Sequence, residues 1–161
     1  MVVPTAYPVQ LIQPDGRRVL DTEYGPLVAD VGPDELRGLY RDMVVARRID
    51  AEATALQRQG ELGLWAPLQG QEAAQVGSAR ALAPDDYVFT SYREHAVALC
   101  RGVDPADMTR LWRGCGLSGW DPKTVATTNP AIVVGAQGLH ATGYAMGAKL
   151  DGAEIATVVY F

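Results

Sequence analysis

Cysteine and histidine are scarce, with two of each in the chain. Cys100 and Cys115 lack metal-ligand spacing, so they read as buried free thiols, with a disulfide the less favoured alternative. A surplus of positive charge is absent too. The net charge is −5, with Lys and Arg spread along the chain, which excludes a nucleic-acid surface. No apolar run approaches the ~20 residues that a membrane span needs. The first eight residues have neither a basic start nor a long apolar core, so they do not read as a secretory signal. The expected location is the cytoplasm. Also missing are Gly-x-Gly-x-x-Gly, Gly-x-x-x-x-Gly-Lys, Gly-x-Ser-x-Gly and His-Glu-x-x-His, which removes the commonest nucleotide, hydrolase and zinc-protease signatures. There is no internal repeat and no low-complexity tract.

Hydrophobic residues make up 48% of the 161 and charged residues 20%, the balance of a globular domain with a genuine core. Residues 1–32 carry Pro4, Pro8, Pro14 and Pro26 and read as an extended N-terminal arm. Pro14-Asp15-Gly16 marks a turn between Val9–Ile12 and Arg18–Leu20. Residues 33–161 form the second segment. Pro33, Asp34 and Glu35 open its longest helix, Leu36, Leu39, Tyr40, Met43 and Val44 give it an apolar stripe, and Gly60 ends it. An apolar loop, 62–70, precedes a small-residue helix, 71–82, whose Ala73, Ala74, Gly77 and Ala81 permit close packing. Tyr87–Phe89 reads as a buried strand and 94–101 as a helix. Asp104 and Pro105 cap a further helix that ends near Gly114. Residues 114–131 read as a loop, and 137–150 as a helix narrow enough at Gly143 and Gly147 for tight packing on a sheet or partner helix. Ile155–Phe161 has the unbroken apolar pattern of a parallel strand buried on both faces.

Tyr92-Arg93-Glu94-His95 is the most informative stretch. It stands where a strand hands over to a helix, so a phenol and a guanidinium fork meet the unpaired amides of a first turn. That combination suits a diphosphate. The competing reading is a surface ion pair. His95 is the open histidine, beside this pair; His140, in an apolar helix, reads as a satisfied core or interface residue.

Five segments in one order carry a family likeness: Gln57-Arg58-Gln59-Gly60, Gly70-Gln71-Glu72-Ala73, Tyr92-Arg93-Glu94-His95, Val134-Gly135-Ala136-Gln137 and Ala156-Thr157-Val158-Val159-Tyr160-Phe161. Over residues 33–161 the chain resembles the alpha subunit of the decarboxylating first component of 2-oxo-acid dehydrogenase complexes. The resemblance implies an α/β thiamine-diphosphate-binding fold, a central parallel sheet flanked by helices and truncated here after an inner strand. Tyr92 and Arg93 match the family's diphosphate contacts. Ile132 and Val134 match positions whose backbone faces the aminopyrimidine. His95 is the one catalytic candidate, since the family's activating carboxylate comes from a separate beta subunit. The implied chemistry is attack of a thiazolium ylide on the 2-oxo carbon, loss of carbon dioxide and transfer of the acyl unit to a lipoyl group. The implied partners are the beta subunit, in an α2β2 heterotetramer, a lipoyl-bearing acyltransferase and a small 2-oxo acid. No nucleic acid or membrane is expected.

The loop from Leu62 to Leu68 matches the lining of the family's substrate entrance. Some pyruvate-type members carry a histidine there where Ala66 stands here, which favours a branched-chain acid. Pyruvate and acetoin dehydrogenase alpha subunits are the alternatives, as is a non-catalytic assembly module. The family's magnesium motif, Gly-Asp-Gly and a later Asn, would lie beyond Phe161. No metal ligand is therefore assigned within the chain, and the 161 residues alone are expected to be inactive and to bind magnesium and cofactor weakly or not at all.

Overall fold

A computed structural model describes residues 8–116 and 119–161. The beginning of the arm, with Pro4, and Leu117 and Ser118 of the 114–131 loop lie outside the described residues. The chain divides into two compact units, one up to Gly38 and the other Leu39–Phe161.

In the first unit Gly16, at φ 84°, turns the chain so that Ile12 and Arg18 form an antiparallel bridge. Residues 25–28 make one 3-10 turn. No described residue before Leu39 is buried.

Helix α1 (Pro33–Arg58) begins at the expected proline. Its inward stripe past the unit boundary is Leu39, Met43, Ala46, Asp50 and Ala53. Tyr40 and Val44, expected on that stripe, are 67% and 48% exposed. Helix α2 (Glu72–Arg80) buries Glu72, Gln75, Val76 and Ala79. The small residues expected to make its packing face, Ala73, Ala74, Gly77 and Ala81, face outward. Arg47 of α1 pairs with the buried Glu72, and this hydrogen bond holds the Glu72 carboxyl down to about 2. Strand β1 (Tyr87–Phe89) leads to α3 (His95–Cys100).

Helix α4 (Pro105–Arg113) follows the expected chemistry. The Asp104 side chain accepts from the Ala106 amide, and Gly114, at φ 77°, closes the end. The same device recurs unpredicted within the 114–131 loop. Asp121 accepts from the Lys123 amide and starts the single turn α5 (Pro122–Val125). Helix α6 (Ala136–Leu150) then leads to β2 (Thr157–Val159).

The sheet is parallel, with β1 beside β2 in the register Tyr87↔Thr157 and Phe89↔Val159. On the other edge of β1, Thr127 forms a parallel bridge to Val88. The Val88 amide donates to Ala126 and the Thr128 amide to Val88. Val88 thus lies between two parallel segments and is fully buried. The architecture is mixed α/β with a small parallel sheet. Strand β2 is half-buried rather than covered on both faces, and β1 is its only partner among the described strands. On α6, Ala141 is buried and Tyr144 stacks on Tyr87 at 4.3 Å. A methyl group placed on Gly143 or Gly147 would meet nothing within 4 Å. The tight packing expected of those glycines is therefore not made within the described residues.

Candidate functional site

Ligands of parallel sheets bind beyond the carboxyl ends of the strands, and the sequence-predicted residues converge there. Beyond β1, the Thr90 amide donates to the Thr128 hydroxyl and the Ala131 amide to the Thr90 carbonyl. On the opposite side the Tyr160 amide donates to Phe89. These bonds bring the Tyr92-Arg93 segment and the Ile132–Val134 segment to one end of the sheet.

The start of α3 does not offer the open amides expected of it. The helix has six residues. The His95 amide turns back to the Arg93 carbonyl, and the Ala96 amide is taken by Oε1 of buried Gln75. Any grip on an anion therefore falls to side chains. In Arg93, Nε donates to the Pro67 carbonyl at 2.9 Å, and the guanidinium carbon lies 5.2 Å from the centre of the Tyr92 ring. Neither Nη group nor the Tyr92 hydroxyl hydrogen-bonds to any described residue. One edge of the fork is anchored, leaving the other for a ligand.

Ile132 and Val134 are 62% and 63% exposed, and their backbone amides and carbonyls make no hydrogen bond to any described residue. Gly135, at φ 88°, turns this stretch into α6. The uncommitted amides and carbonyls suit an edge-on ring with both donors and acceptors.

His95 is 3% exposed. Its ring stacks on Trp65 at 4.0 Å and 15°, and Nε2 donates to the Ala66 carbonyl at 3.0 Å. Burial pulls its pKa down to about 4, so at neutral pH the imidazole is uncharged. His140 lies on the exposed surface of α6 rather than in a core. Cys100 and Cys115 are both free thiols. Cys100 is half-buried and its pKa is pushed up to about 11 by burial, while Cys115 is exposed, contrary to expectation.

The loop of residues 62–68 turns Leu62, Trp65 and Leu68 into the core, leaving Leu64 and Pro67 facing out. Ala66 is buried as well. The residue that fixes this loop belongs to no motif in the sequence. Asp50 Oδ1 accepts from the Trp65 indole and from the Leu68 amide, both at 2.9 Å. Its position carries a signal: Asp50 continues the Met43–Ala46 stripe at helical spacing, so an acid stands where packing asks for an apolar residue. Two more polar atoms at this end of the sheet, Glu94 Oε2 and Gln137 Oε1, are buried with no hydrogen-bond partner among the described residues. Among the described residues no cluster of three or more His, Cys, Asp or Glu is placed to hold a metal.

Residues 40–161 match the family described as Dehydrogenase E1 component. The chain belongs to that family. Among its E1 relatives, the 3-methyl-2-oxobutanoate dehydrogenase subunit alpha of Mycobacterium tuberculosis (strain ATCC 25618 / H37Rv) is 42% identical over 153 residues, covering 95% of this chain and 41% of the relative. The pyruvate dehydrogenase E1 component subunit alpha of Staphylococcus epidermidis (strain ATCC 12228 / FDA PCI 1200) is 33% identical over 152 residues, 94% of this chain and 40% of the relative. The same E1 subunit of Bacillus subtilis (strain 168) is 34% identical over 131 residues, 81% of this chain and 35% of the relative. The chain thus spans about two-fifths of the length of the first two.

Proposed function

We propose that this chain is the diphosphate-gripping portion of the alpha subunit of a thiamine-diphosphate-dependent 2-oxo-acid dehydrogenase, with residues 33–161 forming part of its thiamine-diphosphate-binding fold and residues 1–32 an arm. One observation carries the reading: Arg93 is anchored at Nε, with both Nη groups free, at the same strand ends as the uncommitted backbone of Ile132 and Val134. The family match supports it.

In this reading Arg93 and the Tyr92 hydroxyl bind the diphosphate, and the backbone of Ile132 and Val134 meets the aminopyrimidine edge. Thiamine diphosphate, when bound there, would supply the nucleophilic carbon and the electron sink that decarboxylation of a 2-oxo acid needs. His95 neither gives nor takes a proton. Uncharged, with Nε2 on Ala66, it braces the wall behind Arg93. Magnesium would be held by the family's Gly-Asp-Gly motif and not by any residue described in this chain. A beta subunit supplies the activating carboxylate within an α2β2 assembly, and a lipoyl-bearing acyltransferase takes the acyl group.

A branched-chain 2-oxo acid is the favoured substrate. The higher identity to the 3-methyl-2-oxobutanoate enzyme and the apolar Ala66 both support it. Decarboxylation rates for 3-methyl-2-oxobutanoate and pyruvate decide this, and a clear pyruvate preference overturns it. The site itself is tested by Arg93→Ala in the full-length subunit assembled with its beta partner. Losing a charge-assisted bond of about 1.5–3 kcal/mol weakens thiamine diphosphate binding by roughly 10- to 150-fold. Unchanged binding by calorimetry returns Arg93 to a structural role and favours an assembly module.

A further inference from the structure

We infer that Asp50 is a positioning residue for the diphosphate grip, acting through the loop of residues 65–68 on Arg93; this rests on the function proposed above. Asp50 is 3% exposed and lies on the inward stripe of α1, between Ala46 and Ala53 at 1% each. A carboxylate in such a place costs stability unless its hydrogen bonds are made. Both of the bonds made by Oδ1 reach into one loop, to the Trp65 indole and the Leu68 amide. Between these two anchors stand Ala66 and Pro67. Their carbonyls face the cofactor segment, Ala66 accepting from His95 and Pro67 from Nε of Arg93. The Trp65 ring also lies flat on His95. Asp50 therefore holds both ends of a four-residue strip whose middle sets where the guanidinium sits. Among the described residues it makes no hydrogen bond to Arg93. A fork aimed at a diphosphate loses its value if it can swing, and support from behind fixes such geometry.

The test uses the full-length subunit assembled with its beta partner. Asp50→Ala removes both anchors. Trp65→Phe removes one and keeps the ring stack, and it carries the test if Asp50→Ala fails to assemble. Thiamine diphosphate affinity is measured by calorimetry, alone and in an Arg93→Ala background, with thiamine as the probe lacking phosphates. Each single variant is expected to weaken thiamine diphosphate by about tenfold and to leave thiamine binding within about twofold. In the Arg93→Ala background the same changes cost little more, because the group they position is gone. Equal losses in both backgrounds, equal losses for thiamine, or no loss at all overturn the inference. A wild-type assembly that does not bind thiamine diphosphate overturns the proposed function itself. Wild-type binding that falls with Arg93→Ala but responds additively to Asp50→Ala overturns only the role of Asp50.

Discussion

Burial makes His95 a pH-sensitive support. Its pKa falls from 6.5 to about 4, chiefly because the charged form is desolvated. As pH drops below about 6.5 the unfolded chain takes up a proton that the folded chain refuses. The His95 contribution is thus complete above 6.5 and is lost as pH falls toward 4, with a loss on the order of 3 kcal/mol at the lower limit. Glu72 enters later, since its lowered pKa draws stability away only between 4.5 and about 2. His95→Gln keeps a donor for the Ala66 carbonyl and removes the titration. Thermal melts between pH 7 and 4.5 are expected to show a flatter decline for the variant, and parallel curves rule this out. The candidate site residues are visible at this scale by side-chain type alone. Tyr92, Arg93 and His95 stand out because their types announce chemistry. Asp50 and Gln75 did not, because their function lies in partners 15 to 21 positions away in sequence.

Caps decide how well single elements can be read. Asp104-Pro105 and Asp121-Pro122 are the same signal, yet only the first helix is long enough to bury side chains. Helix α4 commits Met108 to one core cluster and Trp112 to another, whereas α5 buries nothing. Asp104→Ala is therefore expected to cost about 1 kcal/mol, and Asp121→Ala no more than about 0.5 kcal/mol; denaturant midpoints measure both. Equal effects would mean that the cap alone, not what the helix buries, sets the cost. The helix expected over 94–101 spans His95–Cys100, and Gln75 and the Arg93 carbonyl take two of the amides that its first turn would have left open. Periodicity within one element cannot disclose such a competitor. Nor could it disclose that Thr127 lines up beside β1, since a one-bridge edge leaves no alternating pattern.

For the whole molecule, burial separates the two units. The described residues before Leu39 include none that is buried, while Val88 is enclosed by parallel neighbours on both edges. Amide exchange is expected to be fastest in residues 8–31 and slowest at Val88, Thr128 and Tyr160, whose amides close the sheet. Protection of the early residues matching that of Val88 would contradict this. Except for the single turn α5, element types and order in 33–161 were legible from sequence, because caps, glycines and apolar runs act locally. Outward faces were not. Leu139, Met146 and Leu150 on α6 are 82%, 63% and 79% exposed, and a count of apolar positions cannot tell which of them this chain covers.

The register Tyr87↔Thr157 joins strands separated by 70 residues. Such pairing is costly in closure entropy and slow to form. On the ribosome, α2 and α3 can dock as soon as they emerge, but one edge of β1 must stay unpaired until β2 has left the exit tunnel. Nascent chains stalled anywhere in that interval should be the ones that recruit chaperones.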